Sequence, residues 1–185
     1  LRVDSIAELF DCAKKLSMQR KPYGDRLAIV TNAGGPGVIA TDALIDQGGT
    51  LAELSTETLR YLDGNMPRFW SRANPVDLLA DADPQRYSLA LKACLRDPSV
   101  DGILVILTPQ AMTDAAAVAR EVVELTKDSY KTVLASFMGE DDVAEGRRIL
   151  AQGRIPAYER PEDAVKSFLN MVEYQRNLRI LTETP

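Results

Sequence analysis

Three glycines, Gly34, Gly35 and Gly37, directly follow the short apolar run Leu27-Ala28-Ile29-Val30-Thr31 and its trailing Asn32-Ala33. Without Cβ atoms, glycines let main-chain amides come close to a ligand. Pro36 suits a first helical position, and Val38 to Gln47 place Ile39, Ala40, Ala43 and Leu44 on one helical face before Gly48-Gly49 stop the helix. A glycine turn that opens a helix aims free N–H groups and the positive end of the helix dipole at one point. The chemistry this favours is holding an anion, a phosphoryl group above all. A tight turn with no ligand is the plainer reading. Gly-Lys-Ser/Thr is absent, which excludes a P-loop of the nucleotide-triphosphatase kind. Gly35-x-Gly37-x-x-Ala40, with Glu53 further on, does fit a dinucleotide fingerprint, so a nicotinamide-dependent oxidoreductase domain is an alternative expectation.

The chain contains 0 His. That removes a Ser-His triad, a His metal site and a phosphorylated histidine from this segment. No catalytic residue and no metal ligand set is assigned here. A net charge of −5 with no Lys/Arg block argues against a nucleic-acid partner. Phosphate affinity must therefore come from backbone amides. Cys12 and Cys94 have no metal-ligand spacing and both fall in helical patterns, which suits buried, reduced thiols. No apolar run reaches the roughly 20 residues of a membrane span, and no signal peptide is visible. A cytoplasmic location is expected. The chain starts at Leu1, and we read 1–185 as a single domain taken from a longer multidomain protein.

The elements that must position the glycine turn follow from the chain in order. Asp4 can cap a helix running to about Met18, with Ile6, Leu9, Phe10 and Ala13 on its face. Leu27–Thr31 is a buried strand, and Thr50–Glu53 a second one. Ser55 caps a helix ending near Gly64-Asn65. Met66 to Asp77 reads as a long irregular loop, with Phe69 and Trp70 as surface anchors. Asp83 caps a helix with Pro84 first, and Tyr87, Ala90, Leu91, Cys94 and Leu95 line its inner face. Val100–Leu107 is the strongest buried strand, followed by a helix capped by Thr113. Lys131–Ser136 and Ile155–Tyr158 are the last two strands, and Pro161 opens the final helix.

Five strands alternating with helices predict a flavodoxin-like α/β three-layer sandwich, with a parallel five-stranded sheet in the order 2-1-3-4-5. Ligands in such sheets bind beyond the strands' carboxyl ends at the switch point. That edge collects Asn32 to Gly37 and Thr108-Pro109-Gln110, and Asn74 and Asp77 are expected to fold over the same rim.

Several motifs together resemble one family. They are Thr31-Asn32-Ala33-Gly34-Gly35-Pro36-Gly37, Leu51-Ala52-Glu53-Leu54-Ser55, Asn74-Pro75-Val76-Asp77, Asp81-Ala82-Asp83-Pro84, Leu107-Thr108-Pro109-Gln110, Val133 to Gly139, and Arg160-Pro161-Glu162-Asp163-Ala164. The family is the NDP-forming acyl-CoA synthetases, similar to succinyl-CoA synthetase, and the segment resembles their CoA-ligase domain from about Asp4 to Tyr174. The same modules occur in bacterial protein acetyltransferases fused to a Gcn5-type domain, where the scheme can be regulatory. The resemblance implies interconversion of acyl-CoA, ADP and phosphate with acid, CoA and ATP through a phosphohistidine on another domain. CoA, ATP/ADP and Mg belong to the whole protein, and none is expected to be bound by this segment, which on its own should be inactive. Neighbouring CoA-binding and ATP-grasp domains are the implied partners, in a possible oligomer. By motif position, Asn32, Ala33, Gly34, Gly35, Gly37 and Val38 would hold the phosphohistidine loop.

Overall fold

The computed structural model describes residues 18–183. The helix expected from Asp4, and Cys12 on it, lie outside the described residues. Six parallel strands form one sheet: β1 (Arg26–Thr31), β2 (Thr50–Leu51), β3 (Val76–Asp77), β4 (Gly102–Leu107), β5 (Thr132–Phe137) and β6 (Ala157–Tyr158). Their order is β2-β1-β4-β5-β6, with β3 also paired to β1. Numbered without β3, the five expected strands stand in the expected order 2-1-3-4-5.

The connecting helices are α1 (Gly34–Asp46), α2 (Thr56–Asn65), α3 (Pro84–Arg96), α4 (Ala115–Thr126), α5 (Ala144–Gln152) and α6 (Pro161–Glu183). Side chains alternate across the pleat and so divide the core in two. Leu27 and Ile29 of β1 face α1 and α6, where Ala40, Leu44, Val165, Phe168 and Met171 are buried. Ala28 and Val30 face the other layer and pack with Leu62, Tyr87, Leu91, Val118, Val122 and Leu150 of α2 to α5. β1, β4 and β5 are buried along nearly their whole length, which explains their unalternating apolar runs.

Local chemistry sets most helix starts. The Ser55 side chain accepts from the Thr58 amide and the Asp83 side chain from the Arg86 amide, as their positions predict. Two starts differ from expectation. α4 is capped by Asp114, which accepts from the Ala117 amide. Thr113 is buried instead, its hydroxyl donating to the Ala82 carbonyl. α1 begins at Gly34, so Pro36 is third in the helix, still among the residues whose N–H has no partner within the helix.

The segment expected to be an irregular loop contains β3, which runs beside the upper half of β1 in the register Val30 with Val76 and Thr31 with Asp77. β2 pairs with the lower half, Arg26 with Thr50 and Leu27 with Leu51. Between them the Asn74 side chain takes the place of strand backbone. Its amide nitrogen donates to the Leu27 and Ala52 carbonyls, and its oxygen accepts from the Ile29 amide, each at 2.9 Å. Trp70 is buried and donates to Asp63, whereas Phe69 is 78% exposed.

Candidate functional site

The carboxyl ends of β1, β3, β4 and β5 make one rim, and α1 opens on it. The N-cap of α1 is Ala33, so no side chain caps the helix, and its first turn carries no acidic residue. The amides of Gly34 and Gly35 therefore end a 13-residue helix with no side-chain acceptor provided from within its own cap. Both glycines are exposed.

The three glycines do different things. A Cβ built on Gly35 meets nothing within 4 Å, so the space beside that amide is open. A Cβ on Gly37 would lie 3.0 Å from Thr31 Cγ2 and 3.4 Å from Pro75 Cβ. Gly37 is buried, and its amide already donates to the Ala33 carbonyl at 3.3 Å. Its contribution is close packing of α1 onto β1 and the 74–77 segment. A Cβ on Gly34 would lie 3.3 Å from Asp77 Oδ2. The Asp77 carboxylate thus stands at the mouth of the turn, where its rim position predicts it.

Asn32 is fully buried and serves the rim's geometry. Its side chain donates to the Thr108 carbonyl and accepts from the Thr108 amide, both at 2.9 Å, and from the Thr108 hydroxyl. That exchange ties the loop after β1 to the loop after β4. Thr31 fixes the turn itself, its hydroxyl accepting from the Ala33 amide and donating to the Ala33 carbonyl. Pro109 and Gln110 are exposed beside this contact. Pro109 also backs the turn after β5: Gly139 has φ 112°, and a Cβ there would lie 2.7 Å from Pro109 Cγ. Val38 is exposed on the first turns of α1. Asn74 lies halfway down β1, away from the rim.

Tyr87 belongs to the same framework, although its sequence position marks it only as a core residue. Its hydroxyl donates to the Ile106 carbonyl from a fully buried site, and burial raises its pKa well above the usual tyrosine range. The signal was a phenol on an otherwise apolar helix face, since a buried Tyr hydroxyl requires an acceptor.

The rim's charge is mainly negative. Besides Asp77 it carries Asp81, Asp114, Glu140, Asp141 and Asp142. Its nearby arginines are engaged: Arg86 donates to the Leu78 carbonyl and Asp81, and Arg147 to the Phe137 carbonyl and Glu159. The Arg86 hydrogen bond holds the Asp81 carboxyl below its ordinary pKa. Cys94 and Lys131 sit at the opposite end of the sheet. Burial there raises the Cys94 thiol to about 12, and burial also lowers the Lys131 ammonium, which donates to the Cys94 and Asp97 carbonyls at the end of α3. Among the described residues no group of three or more His, Cys, Asp or Glu could hold a metal ion. No helix among them is long and apolar enough to cross a membrane.

This geometry can present two amides and a helix dipole to an anion, and it places a carboxylate next to them. It contains no histidine.

The chain is 39% identical over 176 residues to acetate–CoA ligase [ADP-forming] I of Archaeoglobus fulgidus, covering 95% of this chain and 24% of that protein. It is 37% identical over 174 residues to 4-hydroxybutyrate–CoA ligase [ADP-forming] of Nitrosopumilus maritimus, covering 94% and 25%. Among solved structures, it superimposes with a TM-score of 0.90 and 32% identity on the dinucleotide forming acetyl-coenzyme A synthetase 1 of Ca. Korarchaeum cryptofilum in complex with phosphate and ADP. That match covers 100% of this chain and 41% of the other. The chain therefore spans a quarter to two-fifths of these relatives' length and corresponds to one domain of each. Residues 27–178 match the model of the Ligase-CoA domain. By sequence and fold together, the chain belongs to the Ligase-CoA domain family.

Proposed function

We propose that this domain works within an ADP-forming acyl-CoA synthetase, and that the start of α1 holds a phosphoryl group delivered on a histidine of another domain. The observation that carries the reading is the open start of α1, with an uncapped helix end and empty space where a Gly35 Cβ would be. Amides at a helix N-terminus stabilise phosphoryl oxygens without reorganising. The chain has 0 His, so the carrier must come from outside it. Domain-scale partners are in keeping with the much greater length of the relatives.

Asp77 sharpens the reading. A carboxylate beside the cradle works against free phosphate, since like charges repel. It suits a phosphoryl group borne on a ring whose other nitrogen can donate a hydrogen bond to Asp77. The domain thereby discriminates a phosphorylated side chain from the inorganic anion. CoA, ATP or ADP and Mg would be handled by the other domains, and this domain alone would turn nothing over. The same geometry would serve in an acetyltransferase fusion, but the relatives above are ligases, so we take the ligase as the parent.

The test is Gly35→Ala in the full-length protein. The fold has room for the methyl group, and the arriving phosphoryl group does not. Acid-labile phosphoenzyme should form from radiolabelled ATP about 10²-fold more slowly, the lower end of what losing one preorganised donor costs. Normal labelling with an unchanged melting curve would refute the assignment.

A further inference from the structure

The outward face of α1 lies outside the cradle. Helices α3 and α4 turn charge to solvent, with Lys92 and Arg96 on α3 and Arg120 and Glu124 on α4. α1 carries apolar side chains on its outer face as well as its inner one. Gly37, Ala40 and Leu44 are buried against the sheet and α6, while Val38 is 57%, Ile39 46% and Ile45 54% exposed. Large apolar side chains grouped on the solvent face of a helix mark a contact surface. Val38 and Ile45 are seven residues apart, which puts them on one line about 10 Å long. Asp42 and Asp46, both exposed, run beside that line one turn apart.

We propose that this face is a permanent seam with another domain of the parent protein, whose surface offers an apolar strip for Val38, Ile39 and Ile45 and Lys or Arg side chains for Asp42 and Asp46. The charge pattern selects the occupant. A second copy of this helix packed about a two-fold axis would bring the same aspartates toward one another, because such an interface is self-complementary. Burying Asp42 between aliphatic side chains without a cation is costly. A basic, apolar surface answers both demands. The relatives have room for it, since this chain covers 25% of one and 41% of another. The seam also runs up to the glycine turn, so one docking event would bury the face and register the incoming phosphoryl group. In that last respect it rests on the function proposed above.

Photo-crosslinking tests it. With p-benzoylphenylalanine introduced at Ile45 in the full-length protein, the reporter sits about 15 Å along the helix from Gly35. Crosslinked peptides should come from outside residues 1–185 and carry Lys or Arg beside apolar residues. Asp42→Lys should lower the yield at least about tenfold, because an opposite-charge contact becomes a like-charge one. Asp42→Asn should lower it less. Crosslinks confined to residues 1–185 of either the same or a second copy, no crosslink at all, or an Asp42→Lys yield equal to the parent's would each overturn the seam. Gly35→Ala separates the two ideas. Loss of phosphoenzyme with the Ile45 crosslink retained supports both, whereas normal phosphoenzyme with the crosslink retained sinks the phosphoryl site and leaves the seam standing.

Discussion

Asn74→Ala probes the one side chain that substitutes for backbone in the sheet. Removing it strips partners from the Ile29 amide and from the Leu27 and Ala52 carbonyls, all belonging to residues that are at most 2% exposed. Each buried main-chain group left without a partner costs about 1–3 kcal/mol, so three at the low end sum to about 3 kcal/mol. For a domain of this size that corresponds to a fall in Tm of roughly 6–12 °C. The effect is large beside a total stability of about 5–15 kcal/mol. Asn74→Asp is the informative companion. It retains an acceptor for Ile29 but turns a carboxylate toward two carbonyls, so it should be no more stable than Asn74→Ala. Urea denaturation of the domain, followed by circular dichroism, gives both numbers. A loss below about 1 kcal/mol for Asn74→Ala, or an Asp variant matching the parent, would mean that water replaces the side chain and that the argument fails.

Three further expectations follow from particular contacts. Gly37→Val should destabilise the domain by about 1–3 kcal/mol by overpacking against Thr31 and Pro75, while Gly35→Ala leaves the urea midpoint unchanged; equal effects would contradict their separate roles. Asp77→Asn should raise the domain's affinity for inorganic phosphate about fivefold, the size of one like-charge repulsion at about 4 Å in water, read by titration calorimetry or thermal shift. Burial pushes the Asp97 carboxyl up, but the amides of Ser99 and Ser55 and the hydroxyls of Thr58 and Ser55 outweigh it; at Asp101 the Arg26 guanidinium and amide likewise outweigh burial. Both folded-state pKa values therefore lie below the unfolded value of 3.8, so their stabilisation is complete well above pH 4 and is lost as the pH falls through the folded values. A urea midpoint as high at pH 3 as at pH 7 would contradict this.

What could be read from the residues, and what could not, divides along physical lines. β1, β4 and β5 are buried on both faces, so their apolar runs identify them and fix the sheet order with right-handed crossovers. The glycine turn and the approach of Asp77 to it were legible from the switch-point rule. β3 was not, because a two-residue strand in a proline-bearing segment has no period to detect. Asn74 escaped for a related reason: Asn before Pro reads as a turn, and nothing local reveals that its amide bonds three strand groups. Thr113 and Asp114 are both good caps, and a tertiary bond to Ala82 decided between them. Gly35 and Gly37 look alike in sequence, and only the neighbours of each separate an open amide from a packing contact.

The borders of the sheet carry a consequence for how this domain behaves in a crowded solution. Among the described residues one border is β2, Asn74 and β3 laid end to end and the other is β6, and no strand on either exceeds two residues. A long, straight border is a template on which a foreign chain can add itself and start a fibre. Here any added strand would meet a ladder interrupted after two residues by a side-chain amide or by the turn into a helix. Chains of this kind can therefore be translated and held beside one another at high concentration with little risk of polymerising through their sheets. Recognition is left to helix faces and to the rim, where it depends on shape and charge and is easier to make selective.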